Sequence, residues 1–151
     1  MKDNFSYSMP TKIVYGRDSF KDVDSLIKGR KTLLITSKGF VKRGLVKELE
    51  ALTSNIVAVI SEVKSYPEFK DLEVTYNKIA EIDFELILAI GGGSVLDASK
   101  FFSVHNNKKE YQFVEDMIKG KLPKEGYTLT PIISVATTAG TGSEITPWAT
   151  I

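Results

Sequence analysis

Residues 84–104 read FELILAIGGGSVLDASKFFSV, and their pattern indicates the fold class. The unbroken apolar run at 84–90 predicts a strand that is buried on both faces. The glycines at 91–93 predict a turn. Apolar residues then crowd most sides of a helix that extends to Val104, which indicates that this helix is buried too. A strand, a tight turn and a buried helix form the repeating unit of an α/β protein.

The same unit recurs on both sides of this stretch. Apolar runs at 32–36, 56–60 and 131–135 predict three more strands. Apolar residues at helical spacing follow the first two of these runs, at 41–52 and 72–80, and predict amphipathic helices. The chain therefore alternates strands with helices along most of its length.

The predicted architecture is an α/β fold in one domain, residues 1–151. Continuous apolar strands joined through helices require a mostly parallel sheet with helices on both faces and right-handed crossovers. The polar segment 106–130 is expected to carry one short helix, around 111–118. Alternating apolar residues within 5–15 predict an N-terminal β-hairpin or edge ribbon.

Composition excludes several classes of function. The chain has 151 residues, 42% of them hydrophobic, which suits one domain with a core. Basic and acidic side chains nearly balance, 20 against 19, without a basic block, so no nucleic-acid partner is expected. No apolar run approaches the roughly 20 residues of a membrane span, and the N-terminus lacks a secretory core, so a cytoplasmic protein without membrane association is expected. The chain has no cysteine, which excludes disulfides, thiolate–zinc sites and a cysteine nucleophile.

The glycine turn at 91–94 is the first candidate site, because ligands of parallel sheets bind outside the carboxyl ends of the strands. Glycines let a phosphate approach main-chain N–H groups, and the start of the following helix favours an anion such as a pyrophosphate. The alternative is a simple cap, in which Ser94 and Asp97 form a capping box. Three successive glycines argue against it, since each costs about 0.5–1 kcal/mol of backbone entropy relative to alanine. The sequence has neither GxGxxG nor GxxxxGK[ST].

The second candidate site is the hydroxyl-rich loop at 137–144, TTAGTGSE, which follows the last predicted strand. Its hydroxyls suit phosphates and a carboxamide. Here too capping is the alternative, with Thr141 and Glu144 at capping-box spacing. The fold brings both loops to one edge of the sheet, so we expect a diphosphate to bind between them.

Three motifs together resemble the iron-containing alcohol dehydrogenases. They are MPTKIVYG at 9–16, GGGSVLDASK at 91–100 and TTAGTGSEITPWATI at 137–151, in the family's order and spacing. The resemblance covers essentially the whole chain. It implies a Rossmann-like N-terminal domain that binds NAD or NADP, followed in longer relatives by a helical domain that holds the metal. This chain is similar to the first half and is expected to end before the metal site.

The resemblance also implies which residues contact the cofactor. Gly92, Gly93 and Ser94 would hold the pyrophosphate, with Asp97 close by on the nicotinamide side. The remaining implied contacts lie in the threonine loop and the segment after it, at Thr137, Thr138, Thr141, Thr146 and Trp148.

The metal ligands of the family, one Asp and three His for Fe²⁺ or Zn²⁺, have no counterpart in this chain, and no catalytic residue is expected in it. His105, the sole histidine, is interpreted as favouring the negative end of a helix dipole.

Two positions depart from the family's pattern on the adenosine side. Many relatives carry an Asp that accepts from the adenosine ribose, whereas this chain has Ser37 followed by Lys38. An acid there repels a 2′-phosphate, so its absence predicts that NADPH is tolerated. In KSYPE, residues 64–68, Tyr66 stands where relatives often have the Asn of a Pro-Asn-Pro-like sequence.

The function implied for the intact enzyme is hydride transfer between NAD(P)H and a small aldehyde or alcohol, with a divalent metal polarising the oxygen. This chain alone is expected to be inactive and to bind dinucleotide weakly. Two alternatives remain open: a zinc-dependent glycerol or polyol dehydrogenase of the same superfamily, and a nucleotide-binding module without chemistry. The ribbon at 5–15 offers an edge through which relatives often dimerise, so a homodimer is one expectation, and a ribbon folded back on its own sheet is the other.

Overall fold

A four-stranded parallel sheet forms the centre of the molecule. The computed structural model describes residues 8–64, 68–104, 111–121 and 126–150. The strands are β1 (Thr32–Ile35), β2 (Ile56–Ile60), β3 (Leu86–Gly91) and β4 (Ile132–Ala136). They pair in the order β2-β1-β3-β4, and every pairing is parallel. The predicted parallel α/β architecture is confirmed.

Helices connect the strands. They are α1 (Val23–Ile27), α2 (Lys38–Lys42), α3 (Leu45–Leu52), α4 (Phe69–Ile79), α5 (Gly93–Phe102) and α6 (Tyr111–Ile118), with a 3₁₀ turn at Ser19–Asp22 before α1. The short helix expected at 111–118 is confirmed as α6. The single helix expected at 41–52 is wrong in one respect: Gly44, at φ 93°, interrupts it and separates α2 from α3. Glycine adopts this left-handed conformation without steric penalty, so the helix can stop here. The apolar spacing nevertheless continues on both sides of the break.

The core lies in two layers, one on each face of the sheet. Alternate side chains of β1 and β3 point to opposite faces, so Leu33 and Ile87 pack with α4 and α5, whereas Leu34 and Leu88 pack with α1 and α3. On the first face the ring of Phe101 makes edge-to-face contacts with Tyr76 and Phe102, with centroids 6.2 and 5.5 Å apart. Burial of each such side chain stabilises the fold by about 1.5–3 kcal/mol. Helices on both faces confirm the prediction.

The predicted N-terminal hairpin is not formed by the described residues. Residues 8–15 form no strand, and Tyr15 is 98% exposed. An alternating sequence becomes a strand only where another strand is available to pair with it. The described sheet consists of the four strands β1, β2, β3 and β4, and none of them pairs with residues 8–15. Residues 5–7 lie outside the described part of the chain, as do Tyr66 and His105. Within the described ranges, no helix has the length and apolar character needed to cross a membrane.

Candidate functional site

The glycine turn and the threonine loop begin side by side. In the pairing of β3 with β4, Gly91 is level with Ala136. The next residue, Thr137, donates its backbone N–H to the carbonyl oxygen of Gly91 at 3.0 Å. Parallel strands end at the same edge, so both loops leave the sheet on one rim, as the sequence predicted.

The two loops then approach each other closely at Gly92 and Gly93. A β-carbon on Gly92 would lie 3.2 Å from Oγ1 of Thr138, and one on Gly93 would lie 2.9 Å from Cγ2 of Thr141. The Gly93 β-carbon would also come within 3.4 Å of Oγ of Ser143. The close approach of the threonine loop therefore favours glycine at position 92, and at position 93 it leaves no room for a β-carbon unless Thr141 shifts. Sequence reasoning missed this steric role, because it depends on a contact between segments far apart in the chain.

The first glycine of the turn has a different role. A β-carbon on Gly91 would lie 2.6 Å from Cβ of Val95, inside the first turn of α5. Real β-carbons essentially never approach that closely, so the chain enters α5 tightly only because residue 91 has no side chain.

The N-terminus of α5 is not capped by a side chain. Gly92 is the N-cap residue, and its carbonyl oxygen accepts from the N–H groups of Val95 and Leu96 at 3.0 and 3.2 Å. The predicted alternative, a capping box of Ser94 with Asp97, is wrong, since no side chain caps this helix. Ser94 lies half-buried in the first turn of α5. A helix start without a side-chain acceptor favours an anion through its N–H groups and its dipole.

The threonine loop turns without forming a helix. Residues 143–145 form a turn, so the alternative of a capping box between Thr141 and Glu144 is also wrong. Instead, Oγ1 of Thr141 accepts from the backbone N–H of Ser143 at 3.4 Å. Thr137, Thr138 and Thr141 are all exposed at this rim. One carboxylate oxygen of Glu144, Oε2, is buried without a hydrogen-bond partner among the described residues.

Asp97 lies in the first half of α5 and is engaged by protein groups. Its Oδ1 pairs with Nζ of Lys100 at 2.9 Å, and its Oδ2 accepts from the backbone N–H of Thr150 at 3.0 Å. Lys100 in turn donates to Oγ1 of Thr146 at 3.3 Å and to the carbonyl oxygen of Trp148. Thr146 and Trp148 thus lie beside α5 with their side chains exposed. Lys100 was missed as a site residue, although its spacing of three from Asp97 is a recognised pairing signal in a helix.

A cavity of about 530 Å³ lies at the same rim, beyond the ends of β1 and β2. Its lining includes Ser37, Lys38, Glu62, Lys64 and Asp71. Ser37 caps α2, and its hydroxyl accepts from the N–H of Phe40 at 3.4 Å. Because β1 lies between β2 and β3, this cavity is adjacent to the glycine turn along the rim.

The charges of the cavity are arranged in pairs. Lys64 contacts Asp71 at 2.7 Å and its hydrogen bond holds the pKa of that carboxyl below its ordinary value. Lys78 contacts Glu62 and lowers the pKa of Glu62 through a hydrogen bond and its charge, with a smaller contribution from Lys38. Both carboxyls are therefore ionised at neutral pH. Glu62 pairs with Ser37 in an isolated antiparallel bridge, a contact that no local sequence signal indicated.

The described part of the chain brings together no group of three or more His, Asp or Glu side chains that could hold a metal ion.

Comparison with known proteins identifies relatives over almost the whole chain. The family model for iron-containing alcohol dehydrogenase matches residues 10–151. NADH-dependent butanol dehydrogenase B of Clostridium acetobutylicum is 31% identical over 98% of this chain and 38% of its own length. An alcohol dehydrogenase of Thermococcus barophilus is 32% identical over 92% of this chain and 39% of its own. The chain thus spans less than half the length of these relatives.

Solved structures show the same fold. The NADH-dependent butanol dehydrogenase A of Thermotoga maritima matches with a TM-score of 0.75 and 28% identity, over 92% of this chain and 36% of that one. Sulfoacetaldehyde reductase of Bifidobacterium kashiwanohense, solved in complex with NAD⁺, matches with a TM-score of 0.81 over 95% of this chain and 38% of that one. Its identity of 23% shows likeness of fold alone.

Proposed function

Because this chain belongs to the iron-containing alcohol dehydrogenase family, we propose that it binds a nicotinamide dinucleotide across the rim described above. The observation that carries the proposal is the contact between the glycine turn and the threonine loop, next to a helix start that no side chain caps. Exposed hydroxyls and main-chain N–H groups there meet the needs of a pyrophosphate, which has many acceptor oxygens and no donors of its own.

The dinucleotide is proposed to lie along the rim from β2 to β4. The pyrophosphate would contact the main chain at Gly92–Ser94 and the hydroxyls of Thr137, Thr138 and Thr141. The adenosine would extend into the cavity beyond β1 and β2, whose volume suits a small-molecule subsite. The nicotinamide would then lie toward the segment that carries Thr146 and Trp148.

The resident charges of the cavity bear on the choice between NAD and NADP. Ser37 has no negative charge, and Lys38 is a lining residue that attracts a 2′-phosphate. Glu62 is an ionised carboxylate on the same lining and opposes it. We propose that the chain binds NADH and also accepts NADPH, with Lys38 and Glu62 setting the ratio of the two affinities.

For the whole enzyme we propose hydride transfer between NAD(P)H and a small aldehyde or alcohol. The cofactor supplies the hydride, and this chain binds and orients it. The described residues do not fit a catalytic divalent metal, since they bring no group of three suitable ligands together. Residues 1–151 are therefore proposed to act as the dinucleotide-binding domain, with the Fe²⁺ or Zn²⁺ ligands supplied from outside this sequence.

Calorimetric titration of the 151-residue protein with NADH tests the proposal. Binding is expected to be weak, with a dissociation constant on the order of 0.1–1 mM, because one wall alone encloses the ligand. Thr138→Ala and Thr141→Ala are each expected to weaken it further. No binding at millimolar NADH would refute the proposed site. Reduction of butyraldehyde by the same protein, followed through NADH absorbance, is expected to be undetectable, and measurable turnover would contradict the assignment of chemistry to residues outside the chain.

A further inference from the structure

The segment 146–150 is fastened to α5 by one lysine and one aspartate. Lys100 reaches the segment twice, through the Thr146 hydroxyl and the Trp148 carbonyl oxygen, and Asp97 reaches it once, through the Thr150 N–H. The two side chains also pair with each other at 2.9 Å. We refer to Asp97 and Lys100 together as the clamp.

The clamp is largely removed from solvent. The side chains of Asp97 and Lys100 are only 11% and 16% exposed, on a helix whose other residues are mostly buried and apolar. Buried charges are tolerated when they are paired and their remaining hydrogen-bonding groups are satisfied. Here the main chain and one hydroxyl of 146–150 supply those further bonds. Loss of the segment would leave both charges poorly satisfied, so the segment and the clamp hold each other in place.

Within the fastened segment the main chain is bound, but one large side chain is exposed. Trp148 is 80% exposed although its carbonyl oxygen is bound by Lys100. The main chain is thus fixed while a large aromatic face remains free to contact a ligand. An exposed aromatic side chain on a fixed main chain is a low-entropy binding surface.

We propose that Asp97 and Lys100 are positioning residues, which hold 146–150 across α5 so that Trp148 forms one end of the dinucleotide site. This rests on the proposed function for its final step, the contact of Trp148 with the ligand. It assigns Asp97 to the protein segment rather than to direct contact with the cofactor. It also gives Lys100 the role of holding 146–150 against α5, which neither the glycine turn nor the threonine loop performs.

Trp148 is the only tryptophan in the sequence, so its fluorescence reports on this segment alone. Lys100→Met keeps the side-chain length but removes the charge and the donors. Lys100→Met alone leaves Asp97 as an unpaired, largely buried carboxylate. Asp97→Asn combined with Lys100→Met removes both charges, so any effect that the two variants share is due to loss of the clamp and not to that unpaired charge. Time-resolved anisotropy is expected to show faster local motion of Trp148 in both variants, with an unchanged far-ultraviolet circular dichroism spectrum. Lys100→Arg is expected to restore slow motion.

Lys119→Met provides the matched control. Lys119, directly after α6, pairs with Glu115 and its side chain is about half exposed. It is expected to leave Trp148 motion unchanged. Unaltered anisotropy in folded Lys100→Met, or an equal change in Lys119→Met, would overturn the proposal. Hydrogen exchange of the Thr150 amide in the unmodified protein gives a second test: slowed exchange is expected, and free exchange would contradict the clamp even if the variants failed to fold.

NADH binding separates the positioning role from a purely structural one. Lys100→Met is expected to weaken NADH binding about fivefold, the size of one lost hydrogen bond, and Lys100→Arg to restore it. Faster Trp148 motion with unchanged NADH affinity would overturn the positioning role. Absence of NADH binding by the unmodified protein would refute the proposed function instead, and the anisotropy and exchange measurements would still decide whether the clamp holds the segment.

Discussion

A β-carbon added to Gly93 would lie 2.9 Å from Cγ2 of Thr141. The two residues are far apart in sequence, yet they bring the start of α5 into contact with the loop after β4. Both sides of the proposed pyrophosphate site depend on this contact, because the N–H groups come from one side and the hydroxyls from the other.

Gly93→Ala is expected to lower both the free energy of unfolding and the affinity for NADH. The added methyl group favours the helix by up to about 1 kcal/mol, but overpacking against Thr141 costs about 1–3 kcal/mol. We therefore expect a net loss of roughly 1 kcal/mol in the free energy of unfolding, measured by urea denaturation, and a larger relative loss of NADH affinity. Gly39→Ala is a control for stability alone, since its β-carbon would meet mainly the flexible end of Arg43 and Gly39 itself lines the proposed adenosine cavity.

Thr141→Ser added to Gly93→Ala provides the rescue. It removes the Cγ2 atom at 2.9 Å and leaves Cβ at 3.3 Å, a contact that a small shift relieves. The double variant is expected to regain most of the lost stability. If it is as unstable as Gly93→Ala alone, the steric explanation of this glycine is wrong.

Glu62→Gln is expected to raise the affinity for NADPH relative to NADH by about twofold to fivefold. It removes a negative charge from the lining that would receive the 2′-phosphate, and such charges are partly screened by solvent. Lys38→Met is expected to change the ratio in the opposite direction. Lys42→Met, on the same helix but outside the cavity lining, is the matched control. Calorimetric titration with both cofactors measures the ratios, and equal ratios in all four proteins would place the adenosine elsewhere.

The buried hydroxyl of Tyr76 should make the free energy of unfolding depend on pH in the alkaline range. Burial raises the pKa of its hydroxyl from 10.0 to about 12. The folded state therefore keeps this proton where the unfolded state has lost it, so the free energy of unfolding should fall as pH rises from about 10 to about 12. The fall comes from the unfolded chain releasing protons that the folded chain retains.

Tyr76→Phe is expected to flatten this part of the stability curve, whatever its effect at neutral pH. Urea denaturation between pH 8 and 11 measures the slope. Identical slopes in the unmodified protein and in Tyr76→Phe would show that Tyr76 does not titrate as its burial implies.

The sheet was predictable because a strand that is buried on both faces has a continuous run of apolar residues in the sequence. The run at 56–60 is β2 without any shift of its ends, and the other strands differ from their predicted bounds by one or two residues. The interruption at Gly44 was not predictable from apolar spacing, since the spacing continues on both sides of it. The N-terminal ribbon was predicted from alternation alone, which does not state whether a partner strand exists.

The site was predictable only as far as the strand ends. Placing the loops after β3 and β4 on one rim follows from parallel pairing, and that part of the prediction is confirmed. The partners of individual side chains do not follow from it. Asp97 has Ser94 three residues before it and Lys100 three residues after it, and the spacing to Ser94 indicated a capping box only as the alternative to an anion site. The structure pairs Asp97 with Lys100, and it adds Thr150, whose contact depends on how the distant segment packs against α5.

Backbone amide chemical shifts, followed by NMR while NAD⁺ is titrated into the ¹⁵N-labelled protein, locate the ligand without any substitution. We expect the largest shifts at 92–94 and 137–141, with smaller ones around Ser37 and Trp148. Shifts confined to surfaces remote from these loops, such as α6, or no shifts at millimolar NAD⁺, would rule out the proposed dinucleotide site.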